Sequence, residues 1–391
     1  MTPAARLQAA AEILDSIIAS ARDDGPPADS IVTRYFKTRR YAGSKDRRAV
    51  RELVFRAIRR SGERPMSGRA AILGLASDEP ELEALFGEAR GPELRGDGEQ
   101  SAQASLVPSW LESAIDPLVG GEEWPGLLER APLDLRVNVA RTDRETMLAA
   151  FPGAEATRLS PWGIRSPADT RVDDSQPYGD GLVEVQDEGS QLIALACELA
   201  DGETAIDLCA GAGGKSLALA AAAPGARILA TDSNRQRLSK LPPRAERARA
   251  TIVTKLLSPP NELAELSDWV GRADVVLVDA PCSGSGTWRR NPEGRWRLAP
   301  ERLDRVTALQ QRLLDIGAEL VRPGGRLVYA VCSILSREGE GAIAGFQSRR
   351  SSWMKEDPLI MAGRPSGEGR LLTPGHDGTD GFFIARLKRP C

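Results

Sequence analysis

Two cysteines in this 391-residue chain each directly follow a short apolar run: Cys282 in Asp279-Ala280-Pro281-Cys282-Ser283-Gly284 and Cys332 in Ala330-Val331-Cys332-Ser333. A thiol becomes chemically useful as the thiolate, which adds to electron-poor carbon and can leave again. A cysteine closing a strand is more often inert core than nucleophile, so neither site argues for catalysis alone. The single histidine, His376, makes a Ser-His-Asp, Cys-His or multi-His metal site hard to build and is read as a turn residue in TPGHDGTDGFF. Of the other cysteines, Cys197 in LIALACELA falls on a helical apolar face and Cys391 is a chain end. Five cysteines without framework or paired metal-ligand spacing are expected to be free thiols in a reducing compartment, with no metal.

A second group of residues implies a bound nucleotide-like cofactor. The run Thr204 to Leu208 leads into Cys209-Ala210-Gly211-Ala212-Gly213-Gly214-Lys215-Ser216. Three glycines at a strand-to-helix turn allow backbone conformations and close ligand approach that a Cβ would block. Asp232 ends the next predicted strand, 21 residues beyond Gly211, where a carboxylate can accept both hydroxyls of a ribose. Asp279 closes VVLVD and adds a third acid to the same predicted edge. GGKS and VVLVD also imitate the two motifs of a P-loop NTPase. That fold needs glycine five residues before the Gly-Lys pair, and Cys209 stands there.

The elements that must hold these residues follow from periodicity. From residue 181 onward, β-rich apolar runs (TAIDL, ARILATD, RADVVLVDAP, GGRLVYAV) alternate with helical segments. Such alternation predicts an α/β domain with a parallel sheet covered by helices on both faces, with ligands bound at the carboxyl ends of its strands. Upstream, Leu7, Ala11, Leu14 and Ile18 recur at helical spacing, and Val50, Leu53, Val54, Ala57 and Ile58 repeat the pattern after Ser44, which predicts a helical bundle. A Gly- and acid-rich loop falls around residues 88–101, a strand over Leu135 to Val139 followed by a helix, and a linker over Asp173 to Gly181. These define a small α+β module between the larger parts. The expected organisation is helical over 1–127, module and linker over 128–180, and α/β over 181–391.

An apolar fraction of 41% and a charged fraction of 27% fit a soluble globular protein. The N-terminus has no targeting pattern and no stretch reads as a membrane span, so the expectation is a cytoplasmic protein. A net charge of −3 gives no global case for nucleic-acid binding. Locally, residues 34–60 hold eleven Lys or Arg against Asp46 and Glu52 only, an excess suited to phosphates and also to a solvated helix face. Arg289, Arg290, Arg295 and Arg297 beside Trp288 and Trp296 suggest RNA held by phosphate contact and stacking, with a solvated helix start as the alternative.

Together with VQDEGSQ (Val185 to Gln191), DLCAGAGGKS (Asp207 to Ser216) and DGFFIARL (Asp380 to Leu387), the two cysteine motifs closely resemble the Sun/RsmB family of RNA cytosine-C5 methyltransferases. The likeness runs from about Val183 to Arg389 in the family's order. It implies a Rossmann-like domain that uses S-adenosyl-L-methionine. The upstream helices, the segment YAGSKDRRAVRELVFRAIR and the strand LRVN are similar to the family's bacterial 16S rRNA branch, whose helical domain is NusB-like and binds RNA. The resemblance therefore implies 16S rRNA, or a small-subunit assembly intermediate, as partner and a monomeric enzyme.

Carbon 5 of cytosine is too electron-poor to attack a methyl sulfonium, but a thiolate added at carbon 6 makes it nucleophilic. By resemblance Cys332 is that nucleophile, and Cys282 assists its elimination. Asp279 would contact the base, and Lys215 would orient Asp279 or meet the cofactor. The implied cofactor residues are Cys209, through its backbone, Ala210, Gly211, Ala212, Gly213, Gly214, Lys215, Asp232, Arg237 and Asp279. Val331 stands where the family usually has Thr, and CAGAGGK replaces CAAPGGK. A family acid that contacts the adenine side is expected near Ser258, where this chain reads LLSPPN. That gap keeps a non-catalytic RNA-binding assembly factor as an alternative beside the NTPase.

Overall fold

The computed structural model describes all 391 residues as two compact units, and the division is not contiguous in sequence. Residues Met1–Ile115, Gly120–Glu129 and Thr287–Pro300 form the first; Asp116–Val119, Arg130–Gly286 and Glu301–Cys391 form the second. No helix is long and apolar enough to cross a membrane.

The first unit is helical: α1 (Pro3–Arg22), α2 (Ala28–Lys37), α3 (Ser44–Arg60) and α4 (Gly68–Asp78). Thr2 accepts the Ala5 N–H at 3.2 Å with Pro3 at the first helical position, a combination that fixes where α1 starts. Leu7, Ile13, Leu14 and Ile17 on α1 are fully buried and pack with Val54 and Ile58 of α3 and Ile72 of α4.

Residues 287–300 complete this unit. Trp296 is 2% exposed within the helical core, and its indole N–H donates to the Ser61 carbonyl at 2.8 Å. The buried Arg295 guanidinium donates to the carbonyls of Ile58 and Leu106, both at 2.5 Å, and so covers the C-terminal end of α3. Burial lowers its pKa to about 9. Glu293 accepts the Ala28 N–H at 2.9 Å at the start of α2. A carboxylate at one helix N-terminus and a guanidinium at another's C-terminus both complement the helix dipole. The RNA-gripping role expected of Trp288, Trp296, Arg289 and Arg295 is therefore wrong: all four are buried. Arg297, half-buried, donates to the carbonyls of Gly25 and Pro26 at 2.9 and 2.8 Å. A Trp/Arg cluster has the same composition whether it faces RNA or closes a core.

The second unit contains two sheets. The smaller is antiparallel, with strands β1 (Leu133–Val137), β2 (Glu155–Ala156), β3 (Gly163–Ser166) and β4 (Val183–Val185) in the order β2-β3-β1-β4. The expected strand begins and ends two residues earlier than read, and a helix follows it at Arg144–Ala150. The expected linker holds a 3-10 turn at Val172–Asp174 and a short helix at Gln176–Gly179, anchored by buried Val172.

The larger sheet has nine strands: β5 (Thr204–Asp207), β6 (Arg227–Asp232), β7 (Val253–Leu256), β8 (Ala273–Asp279), β9 (Val321–Val331), β10 (Met354–Lys355), β11 (Arg364–Ser366), β12 (Gly369–Leu372) and β13 (Phe382–Lys388). Its order is β11-β12-β13-β9-β8-β5-β6-β7, with β10 beside β13. Strands β5 to β9 run parallel, as the alternation predicts, whereas β10 to β13 add an antiparallel extension that it did not. Val275 to Val278 are fully buried, as a central parallel strand covered on both faces requires. The fold is an α/β, Rossmann-like sheet with a separate helical region.

Candidate active site

Register explains why distant residues meet. In the parallel pair β8/β9, Asp279 lies opposite Ala330, so Cys282 and Cys332 leave the same strand ends side by side. Their sulfurs are 3.3 Å apart. In β5, Asp207 lies opposite Leu277 of β8 and Ala230 of β6, which sets the glycine turn and Asp232 on that edge. A cavity of about 550 Å³ opens there and is lined by Cys209, Asp232, Arg237, Asp279, Cys282 and Cys332 among others.

The turn is held from two sides. Gly211 and Gly213 both have left-handed backbone, φ +57° and +83°, and a Cβ on Gly213 would lie 2.1 Å from Leu241. Asp232 accepts the Gly211 N–H at 2.7 Å and the Asn234 N–H at 2.6 Å. From behind, Arg244 donates to the Ala212 carbonyl at 2.5 Å and Arg136 to the Gly214 carbonyl at 2.6 Å. Ala210 accepts the Gly213 N–H at 2.8 Å. Ala210 to Gly214 thus shape the wall, and Arg237 packs against Gly211. Arg136 and Arg244 were not anticipated, because an isolated arginine in a strand or helix carries no sequence signal for bracing a turn.

Lys215 donates to Asp279 at 2.6 Å, with its side chain 12% exposed. Burial opposes its charge, but Asp279, assisted by Cys332 and Asp207, outweighs that and raises its pKa above the ordinary value. The Cys282 pKa is pushed well up by its bond to Cys332, by burial and by Glu338. Cys209 is held in the thiol form by burial and by Asp207, Asp279 and Asp232 nearby. Under the turn, burial pushes the Asp207 pKa up to about 7, although Ser216 donates to it at 2.6 Å.

Two acids escaped the sequence reading. Glu262, four residues beyond Ser258, lines the cavity and pairs with Arg312 at 2.9 and 2.8 Å. Glu338 is fully buried beneath the cysteine loops, although it lies in the charged stretch SREGEG.

The sequence profile of the 16S rRNA methyltransferase RsmB/F family matches residues 194–388. "Ribosomal RNA small subunit methyltransferase B" of Enterobacter sp. (strain 638) is 32% identical over 305 residues, covering 75% of this chain and 69% of that one. The protein of the same name from Escherichia coli O157:H7 (strain EC4115 / EHEC) is 30% identical over 333 residues, covering 80% and 75%. Among solved structures, that of PH0851 superposes with a TM-score of 0.76 at 23% identity, covering 98% of this chain and 99% of that one, a likeness of fold. The two cysteine motifs and the glycine turn meet on one sheet edge inside the matched region, and the chain belongs to the RsmB/F methyltransferase family.

Proposed function

We propose that the protein uses S-adenosyl-L-methionine to methylate carbon 5 of a cytosine in RNA, with 16S rRNA, free or in an assembling small subunit, as substrate in the cytoplasm. The observation that carries this reading is the contact of Cys282 and Cys332, 3.3 Å apart, in a cavity they share with Asp232 and Asp279. The names of the curated relatives support rRNA as the substrate.

The donor set fits the cofactor. Asp232 retains lone pairs for two ribose hydroxyls, the turn brings backbone close, and the cavity's size is usual for a small-molecule site. Glu262, held by Arg312, supplies a carboxylate four residues from where the family acid is expected. When bound, the cofactor supplies an electrophilic methyl group. Lys215 is engaged by Asp279 rather than free for a phosphate, which disfavours the NTPase alternative.

The protein's own steps follow from the sulfur pair. The Cys332 thiolate adds to carbon 6, the ring electrons move onto carbon 5, and carbon 5 takes the methyl group. The Cys282 S–H, donating to the Cys332 thiolate, stabilises it beforehand. Once Cys332 is bonded to carbon it is no longer a thiolate accepting the Cys282 S–H, and that hydrogen bond, the largest cause of the raised Cys282 pKa, disappears together with the charge. Cys282 then loses its proton to water and accepts the carbon 5 proton as the Cys332–carbon bond breaks, restoring the aromatic ring. Asp279, oriented by Lys215, hydrogen-bonds the base. The target base must be unstacked to reach these groups.

The helical unit is proposed as a NusB-like RNA-binding domain. Arg34, Lys37, Arg40, Lys45 and Arg48 on α2, α3 and the turn between them are exposed, beside Tyr41 at 73% exposure, which suits phosphate contact.

Two experiments test the proposal. Bisulfite sequencing of rRNA from a deletion strain should show one 5-methylcytosine lost, and full methylation would refute the rRNA assignment. Cys282→Ala should accumulate a covalent protein–RNA adduct and Cys332→Ala none; the reverse pattern would exchange the two roles.

A further inference from the structure

Residues 281–284 and 332–334, which carry the two thiols, contain no helix or strand of their own, yet they present the sulfurs in contact. Glu338 lies behind both, with no exposed surface. Its Oε1 accepts the Ser283 backbone N–H at 2.8 Å, next to Cys282, and the Gln310 amide at 2.9 Å. Gln310 also donates to the Pro281 carbonyl at 2.9 Å, so the residues on both sides of Cys282 are tied to one point. The other oxygen, Oε2, accepts the Ser333 hydroxyl at 2.5 Å, next to Cys332. That length is typical of a hydroxyl donating to an ionised carboxylate. The backbone of Glu338 is anchored in turn, since its carbonyl accepts the buried Tyr329 hydroxyl at 2.7 Å. Ser285 completes the joint by accepting the Ile334 N–H at 3.0 Å and meeting Ser333 at 3.0 Å.

We propose that Glu338 is the positioning residue of the thiol pair: a single buried carboxylate ties the Cys282 loop to the Cys332 loop and holds the two sulfurs at reacting distance. A neutral hydrogen-bonding group would not serve equally. All three partners of the carboxylate donate, and only the ionised form accepts from all of them without presenting a proton of its own. A buried carboxylate is costly unless fully hydrogen-bonded, and here the three donors offset that cost. Its charge has a second effect. The titratable groups facing Cys282 are Cys332, Glu338 and Tyr329, and a carboxylate behind Cys282 opposes ionisation there. The carboxylate therefore favours the thiol form of Cys282. This assignment rests on the thiol chemistry proposed above.

The test uses the full-length protein without RNA or cofactor, which separates its outcome from that of the methylation assay. Dibromobimane, fluorescent once it bridges two nearby thiols, should cross-link Cys282 to Cys332 in the wild type, with the linkage located by peptide mass. Alkylation by iodoacetamide as a function of pH gives the midpoint for Cys282. Glu338→Gln, close in shape, should lower that midpoint by about one pH unit, the scale on which a neighbouring charge acts. Glu338→Asp should keep the midpoint but slow bridging, because its carboxylate is one methylene short. Ser333→Ala leaves Glu338 in place, removes the Cys332 arm and should slow bridging about ten-fold, as expected of sub-ångström misplacement; it keeps the proposal testable if Glu338 variants fold poorly. Unchanged bridging in Ser333→Ala with an unchanged midpoint in Glu338→Gln would overturn the proposal. If these shifts occur while the wild type fails to methylate RNA, the functional reading falls and the positioning role stands.

Discussion

Replacing Trp296 by alanine separates two readings of the segment between the Cys282 loop and the helix Pro300–Leu320. The side chain is 2% exposed and lies within the helical core. Truncating a buried Trp costs about 3–5 kcal/mol. The substitution also strands the Ser61 carbonyl, which now accepts the indole N–H at 2.8 Å, and an unpaired buried acceptor costs roughly 1–3 kcal/mol. The two overlap, so about 4 kcal/mol is a reasonable total. At roughly 2–4 °C per kcal/mol for a domain of this size, the transition of the helical unit should fall by roughly 10 °C. Circular dichroism melts, with unfolding monitored at the helical signal, measure this directly. RNA affinity measured well below the lowered transition should match the wild type. A variant that melts with the wild type but binds RNA more weakly would refute the burial argument and restore Trp296 as a stacking residue.

Other substitutions address the cavity. Asp232→Asn should weaken cofactor binding about ten-fold by calorimetry, since it removes acceptor capacity at the ribose and loosens the Gly211 turn. Glu262→Gln should raise the cofactor dissociation constant by about three- to ten-fold with little change in the maximal rate. Lys215→Met should lower kcat by about 10- to 100-fold with RNA binding retained, because Asp279 loses the cation that orients it. The buried Asp207, with its pKa raised from 3.8 to about 7, binds more protons folded than unfolded across that interval. Its contribution to stability is full below about pH 4 and is lost as pH rises through 7. Asp207→Asn should flatten that part of the pH–stability profile in urea titrations, and an unchanged slope would rule out Asp207 as its source.

The parallel strands, the glycine turn and the two cysteine loops were legible because each is a local pattern: an apolar run, then a small or reactive residue at its end. Strand register then converts such patterns into a site without further information. What could not be read depends on contacts across long sequence separations. Arg136 and Arg244 hold the turn through backbone carbonyls, which leave no mark on composition. Glu338 lies in SREGEG, a stretch whose charge and glycines suggest exposure, and its burial follows only from Ser283, Gln310 and Ser333 converging on it. The Trp/Arg cluster misled for the same reason: guanidinium and indole groups satisfy backbone carbonyls as readily as they meet nucleotides.

The dependence of the helical unit on residues 287–300 has a consequence for biosynthesis. When Glu129 leaves the ribosome, α1 to α4 exist as sequence but lack Trp296 in their centre, Glu293 at the start of α2 and Arg295 at the end of α3. At ordinary elongation rates the missing piece arrives on the order of 10 to 30 s later. During that interval the nascent helices expose the surface that the tryptophan later covers, so they are a natural client for chaperones, and nonsense products ending before residue 287 never obtain the piece that closes the bundle.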